Sequence, residues 1–121
     1  MPVAHFAYTA IDCSNARTLS QFYADLSGLI IQEGGSDDWV MLLAENGAGI
    51  AFQQIDDYVS PTWPGGEHPQ QMHLDFEVDD LDEGERQVLA LGATKHELQP
   101  APDAFRVYLD PEGHPFCLIN E

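Results

Sequence analysis

Apolar and polar positions along the first half of the chain predict one strand, one helix and three further strands. Residues 5–11 mix aromatic and β-branched side chains, which is typical of a strand. Capping residues follow at 12–15, apolar residues recur at helical spacing over 16–26, and Gly28 ends this predicted helix. Glycine-containing turns then separate three strand-like runs, at 29–32, 39–43 and 50–55. The first half therefore predicts a βαβββ unit.

The same order of elements recurs after an irregular segment. Residues 56–71 contain three prolines and two glycines and predict a crossover without regular structure. Residues 72–78 predict a strand, and a helix begins at 79–82 and ends at Gly92. Strands are predicted near 94–98, 105–109 and 115–119. We expect a single domain over 1–121, built from an internal repeat of 4–55 and 72–121.

Counting along the chain suggests a register for this repeat. His5 precedes Asp12 by seven residues, and His73 precedes Asp80 by the same seven. In this register the second helix is about one turn shorter than the first, at roughly 3.6 residues per turn. Gln53 then corresponds to Cys117, each in the last strand of its half. Two halves in register predict an α+β fold formed by duplication.

Several motifs resemble those of the vicinal-oxygen-chelate superfamily, which includes glyoxalase I, extradiol dioxygenases and bleomycin-resistance proteins. They are His5 with Asp12, Phe22-Tyr23 before Gly28, the run from His73 to Asp80, Leu91-Gly-Ala93, and the run from Asp110 to Leu118. The resemblance implies two βαβββ modules that form a curled eight-stranded sheet around a cavity. Family members commonly dimerise, so a homodimer is expected.

The resemblance also implies where a metal would bind. Carried over to this chain, the four ligand positions of the family are His5, Gln53, His73 and Cys117. Metalloenzymes of the family usually have a carboxylate at the last position, where this chain has a thiol. His5 and His73 are therefore candidate ligands of a divalent metal, softened towards zinc by Cys117. The alternative, which we favour, is a cavity without metal in which Cys117 packs as a small apolar residue.

Charge narrows the classes of partner. Four basic residues stand against 21 acidic ones, for a formal net charge of −17. Such a field repels nucleic acid and anionic lipid, so neither partner is expected. The acidity either maintains solubility or attracts a cationic ligand. Two cysteines are too few for a disulfide framework, and neither a signal peptide nor a membrane span is evident, so a cytoplasmic protein is expected.

Two functions from different classes stay open. The first is binding of a small organic molecule, with aromatic side chains and carboxylates suited to a cationic aromatic ligand, in a cavity between the modules. The second is a metal-dependent lyase, isomerase or dioxygenase that works through His5 and His73. Asp75 or Glu77, which share the face of His73 on an alternating strand, could serve as a general base or as an anchor for a cation. The predicted ligand-binding residues are His5, Trp39, Gln53, Trp63, His73, Asp75, Tyr108 and Cys117. The sequence identifies no catalytic residue.

Overall fold

The computed structural model describes residues 2–120 and divides into two compact units between Tyr58 and Val59. The first unit contains β1 (Thr9–Cys13), α1 (Ala16–Ser27), β2 (Ile30–Ile31), β3 (Trp39–Leu43) and β4 (Gly49–Gln54). The second contains β5 (Leu74–Glu77), α2 (Leu81–Leu91), β6 (Thr94–Lys95), β7 (Phe105–Leu109) and β8 (Pro115–Ile119). The predicted α+β class and the βαβββ order of each half are confirmed.

The first unit packs α1 against one face of a four-stranded sheet. Its strand order is β1-β4-β3-β2, with β1 parallel to β4 and the other pairs antiparallel. Tyr23 on the buried side of α1 stacks on Phe52 of β4, with ring centroids 5.6 Å apart. Val40 and Leu42, on the neighbouring strand, are also buried. Because side chains alternate along a strand, the intervening residues lie on the other face.

The second unit repeats this arrangement with the order β5-β8-β7-β6. Phe116 of β8 stacks on Tyr108 of β7 at 5.7 Å, and both are buried on the face that α2 covers. Asp110 directly follows β7, and its carboxylate accepts hydrogen bonds from the backbone N–H groups of Glu112 and His114 at 2.8 and 3.1 Å. The hairpin between β7 and β8 is thus held by a buried acidic side chain at its first turn residue.

The helix caps correct the register of the repeat. Asn15 caps α1 by accepting a hydrogen bond from the backbone N–H of Thr18, and Asp80 caps α2 by accepting from the backbone of residues 82 and 83. The helices have 12 and 11 residues, so the second is not a full turn shorter. Asp12 is not a cap, because it lies within β1 opposite Gln53. Matching Asp12 to Asp80 was therefore wrong.

Aligning the two caps changes the residues that correspond between the units. Seven residues before Asp80 is His73, and seven before Asn15 is Tyr8 rather than His5. The residues five before the caps are Asp75 and Ala10. Asp75 lies opposite Cys117 in the β5–β8 pair, and Ala10 lies opposite Ala51 in the β1–β4 pair. Tyr8 and Ala51 therefore occupy in the first unit the places of His73 and Cys117 in the second. The inference that gave these places to His5 and Gln53 is corrected.

The strands hydrogen-bond as two separate four-stranded sheets within residues 2–120. The expected single eight-stranded sheet curled around a cavity is therefore not confirmed. Neither helix of the described chain has the length and apolar character needed to cross a membrane.

Candidate ligand-binding site

A cavity of about 350 Å³ lies within the second unit. Phe116 and Tyr108 point towards α2, so their strand neighbours Cys117 and Val107 project from the opposite face. Cys117 and Val107 line the cavity, where Phe105 joins them from β7. A volume near 350 Å³ falls within the range of about 300–1,000 Å³ that is usual for small-molecule sites. The strand pairing thus presents a mostly apolar wall to a ligand.

Three polar side chains meet on this wall. Nε2 of His73 lies 3.2 Å from Oδ1 of Asp75, which is directly opposite Cys117 in the parallel β5–β8 pair. The donor atoms of the three residues lie within 4.8 Å of one another. His73 and Asp75 are exposed, whereas Cys117 is only 7% exposed. The arrangement brings a carboxylate, an imidazole and a thiol into contact with one cavity.

The thiol of Cys117 is held in its protonated form. Burial, the negative charge of Asp75 and a hydrogen bond to its carboxylate together raise the pKa of Cys117 from 9.0 to about 11. A thiolate is the reactive and metal-binding form of cysteine. At neutral pH the thiol therefore acts as a hydrogen-bond donor to Asp75 rather than as a nucleophile.

The segment that precedes β5 contributes two further lining residues, Trp63 and Gln70. The ring of Trp63 packs edge-on against His96 at 5.0 Å, and Nε2 of His96 lies 3.1 Å from the Trp63 carbonyl oxygen. Gln70 is anchored by its backbone N–H, which donates to the Thr62 carbonyl at 2.9 Å. Its side-chain oxygen Oε1 is buried and has no hydrogen-bond partner within residues 2–120. A buried acceptor of this kind costs free energy unless a hydrogen-bond donor enters the cavity and pairs with it.

Four of the predicted ligand-binding residues line this cavity, namely Trp63, His73, Asp75 and Cys117. Gln70 was missed, because a glutamine in an irregular crossover carries no pattern signal. Phe105 was also missed, since it reads as an ordinary core aromatic.

Tyr108 was predicted to bind ligand, but it lies on the opposite face of the sheet. It is fully buried, and its hydroxyl donates to Oε1 of Glu85 on α2 at 2.8 Å. Burial and this carboxylate raise the pKa of Tyr108. Burial acts to raise the pKa of Glu85 too, but hydrogen bonds from Lys95 and Tyr108 outweigh it and the pKa is lowered. Tyr108 therefore holds the helix to the sheet.

The other three predicted residues belong to the first unit. His5 is exposed and precedes β1, and Gln53 is exposed near the end of β4. Trp39 begins β3, is partly buried, and packs edge-on against Tyr8 with ring centroids 6.1 Å apart. Ligand binding by these three side chains stays a prediction.

The four metal-ligand positions that the resemblance implies do not all hold donors suited to a metal. In the corrected register they are Tyr8, Ala51, His73 and Cys117, and the alanine side chain has no donor atom. Cys117 would have to lose a proton whose pKa is raised to about 11. This set of residues therefore does not fit the metal centre of the superfamily. The donors that do meet are the three of the second unit.

Comparison with known families and structures agrees with this architecture. Residues 8–119 match the model of the glyoxalase-like domain, so the chain belongs to this family. No curated protein matches the chain at a significant level.

Solved structures share the fold at low sequence identity. A glyoxalase/bleomycin resistance protein/dioxygenase family enzyme from Burkholderia phytofirmans PsJN is 21% identical, with a TM-score of 0.73 over 97% of this chain and 98% of that one. A protein from Agrobacterium tumefaciens solved by NMR is 23% identical, with a TM-score of 0.71 over 98% of both chains. The fosfomycin resistance protein FosX from Listeria monocytogenes is 15% identical, with a TM-score of 0.71 over 99% and 93%. At these identities the likeness concerns the fold alone.

Proposed function

We propose that the second unit binds a small cationic organic molecule with an apolar or aromatic body, and that it does so without a metal. The observation that carries this proposal is the carboxylate of Asp75 in a mostly apolar cavity. Among residues 2–120, lysine and arginine are absent from the lining of that cavity. Asp75 contacts the imidazole of His73 and the thiol of Cys117. With no lysine or arginine in the described lining to neutralise it, a carboxylate that faces an apolar cavity favours a cationic ligand.

The basic side chains are engaged elsewhere. Each of the four forms an ion pair with a carboxylate of the described chain: Arg17 with Asp37, Arg86 with Glu83, Lys95 with Glu85, and Arg106 with Asp82 and Glu85. The chain nevertheless carries a formal net charge of −17. The resulting field attracts cations towards the protein and raises their local concentration.

The apolar part of the ligand is matched by the remaining lining. Trp63 and Phe105 supply aromatic surface, and Val107 and Ile119 supply aliphatic surface. An ammonium group near the face of an aromatic ring gains about 0.5–2 kcal/mol from the cation–π interaction. A ligand with a charged head and an aromatic body can therefore pair its charge with Asp75 and pack its body against the apolar lining.

Calorimetric titration with a matched pair of probes tests the proposal. 2-Phenylethylamine and 2-phenylethanol share an apolar body and differ in charge, so we expect the amine to bind at least about tenfold more tightly. Asp75→Asn should remove most of this preference. Glu77→Gln is the control, because Glu77 follows on the same strand and lies outside the lining. Equal binding of the two probes, or full binding to the Asp75→Asn variant, would refute the proposal.

The second candidate function is that of a metal-dependent enzyme. It is favoured by the meeting of His73, Asp75 and Cys117, which offer nitrogen, oxygen and sulfur donors. Structural relatives include a lactoylglutathione lyase and an oxidase, each so named. Protein purified without a histidine tag should contain no stoichiometric metal by elemental analysis, and Zn²⁺ should bind no more tightly to it than to Cys117→Ala. Stoichiometric metal that is lost in Cys117→Ala would favour the enzyme instead.

A further inference from the structure

We infer that the cationic group of the ligand is an ammonium with N–H donors, held jointly by Asp75 and Gln70, rather than a quaternary ammonium. The inference rests on the proposed function and specifies its ligand class. Its independent observation is the buried side-chain oxygen of Gln70, which lacks a partner in the described chain and belongs to a residue that lines the same cavity as Asp75.

The position of Gln70 is fixed by the backbone rather than by its side chain. Its N–H donates to the carbonyl of Thr62, and the N–H of Thr62 donates to the carbonyl of His68 at 2.8 Å. This pair of hydrogen bonds closes the loop through residues 63–69. The root of the Gln70 side chain is therefore held in place by the backbone. A buried acceptor that stays unpaired destabilises the folded state.

The hydrogen bonds already present leave room for a ligand donor. Asp75 receives one contact from His73 and a second from the thiol of Cys117. An ionised carboxylate accepts at about four lone-pair positions, so acceptor capacity remains. Gln70 adds a neutral acceptor, and the cavity lining of residues 2–120 has no lysine or arginine to satisfy either group. Two acceptors of this kind are complementary to one group with at least two N–H donors.

The chemistry separates two kinds of cation. A primary ammonium has three N–H groups and can donate to the carboxylate and to the amide oxygen at once. A quaternary ammonium carries the same charge but has no donor, so it leaves the Gln70 oxygen buried and unpaired. Asp75 therefore selects the charge, and Gln70 selects the hydrogen-bond donors.

Calorimetric titration with 2-phenylethylamine and its N,N,N-trimethyl analogue tests this inference. The wild-type protein should bind the primary amine at least about tenfold more tightly, the equivalent of one hydrogen bond to a charged group. Gln70→Leu should weaken binding of the primary amine alone and bring the affinity ratio close to one. Asp75→Asn should weaken binding of both probes. Gln71→Leu is the matched control, since Gln71 is an exposed neighbour outside the lining.

The outcomes separate this inference from the proposed function. Equal affinity of the wild-type protein for the two cations overturns the role of Gln70 and leaves cation binding in place. Failure of both cations to bind overturns the proposed function and the inference with it. Thermal unfolding tests whether the Gln70→Leu variant is folded. Its unfolding midpoint should equal or exceed that of the wild type, because the substitution removes an unpaired buried acceptor. Gln70→Asn, which withdraws the oxygen by one methylene, should lower the ratio in the same direction.

Discussion

Replacing Asp75 by asparagine should make Cys117 more reactive towards alkylation. The prediction is made in a Cys13→Ala background, because the chain has only these two cysteines. Burial, the charge of Asp75 and its hydrogen bond raise the pKa of Cys117 to about 11. At pH 8 a thiol with this pKa is about 0.1% ionised, against about 10% for a pKa of 9, and only the thiolate reacts. The Asp75→Asn substitution removes the charge but leaves the burial in place.

Because burial is the largest cause and Asp75 supplies the rest, we expect the pKa of Cys117 to fall part of the way back towards 9, by about one unit, in this variant. Thiolate nucleophilicity declines as the pKa falls, with a Brønsted coefficient of about 0.4–0.5, so the alkylation rate at pH 8 should rise about three- to fourfold. The assay is iodoacetamide labelling followed by intact mass. Glu77→Gln, which removes an equal charge from the same strand, should leave the rate unchanged. The reasoning fails if both variants accelerate equally, or if Cys117 in folded wild-type protein reacts as fast as in urea.

The same pKa shift predicts a loss of stability at high pH. Below pH 9 the Cys117 thiol is protonated in both the folded and unfolded chains, so it contributes nothing there. Between pH 9 and 11 the unfolded chain releases the proton while the folded chain retains it. The free energy of unfolding should therefore fall by about 1.4 kcal/mol per pH unit in this window, or about 2–3 kcal/mol in total, and level off above it. The free energy of unfolding, measured in urea as a function of pH, should fall more steeply for the wild type than for Cys117→Ala between pH 9 and 11. Parallel pH dependences of the two proteins would contradict the prediction.

Three further substitutions probe the scaffold. Tyr108→Phe removes the hydrogen bond to Glu85 and should lower the free energy of unfolding by about 1–2 kcal/mol without changing the affinity for 2-phenylethylamine. Asp80→Ala removes a helix cap and should cost about 1 kcal/mol, whereas Asp80→Asn should be nearly neutral. Gly113→Ala places a Cβ at a φ of +90° and 2.7 Å from the Ser60 hydroxyl, and should cost about 1–3 kcal/mol. Urea denaturation measures all three, and a loss of amine binding in Tyr108→Phe would place that residue in the site after all.

Much of the site was predictable because a strand alternates its side chains. His73, directly before β5, and Asp75 within it are two residues apart and so share one face, and both line the cavity. Cys117 was identified as a candidate site residue through the resemblance to the superfamily. Tyr108 was misplaced because nothing local shows which face of β7 turns towards the helix. That choice follows from pairing with β8, where Tyr108 lies opposite Phe116 and Val107 opposite Cys117.

The repeat shows the same limit. Counting from His5 and His73 gave a consistent register, yet the helix caps are Asn15 and Asp80. Aspartate serves equally well within a strand and as a cap, so residue type alone could not exclude Asp12. Only the pairing of Asp12 with Gln53 in the sheet assigns it to β1.

The chain by itself determined its elements and their order, because the spacing of apolar residues and the capping side chains act over a few neighbouring positions. Only the tertiary structure decided which strand faces turn towards α2, which carboxylate meets Cys117, and that the oxygen of Gln70 is buried without a partner among residues 2–120. Those outcomes depend on hydrogen-bond register between strands about 40 residues apart and on a loop closed by its own backbone. Such a register is decided by which face of each strand is buried in the assembled sheet, since a shift of one residue reverses every side chain on the strand.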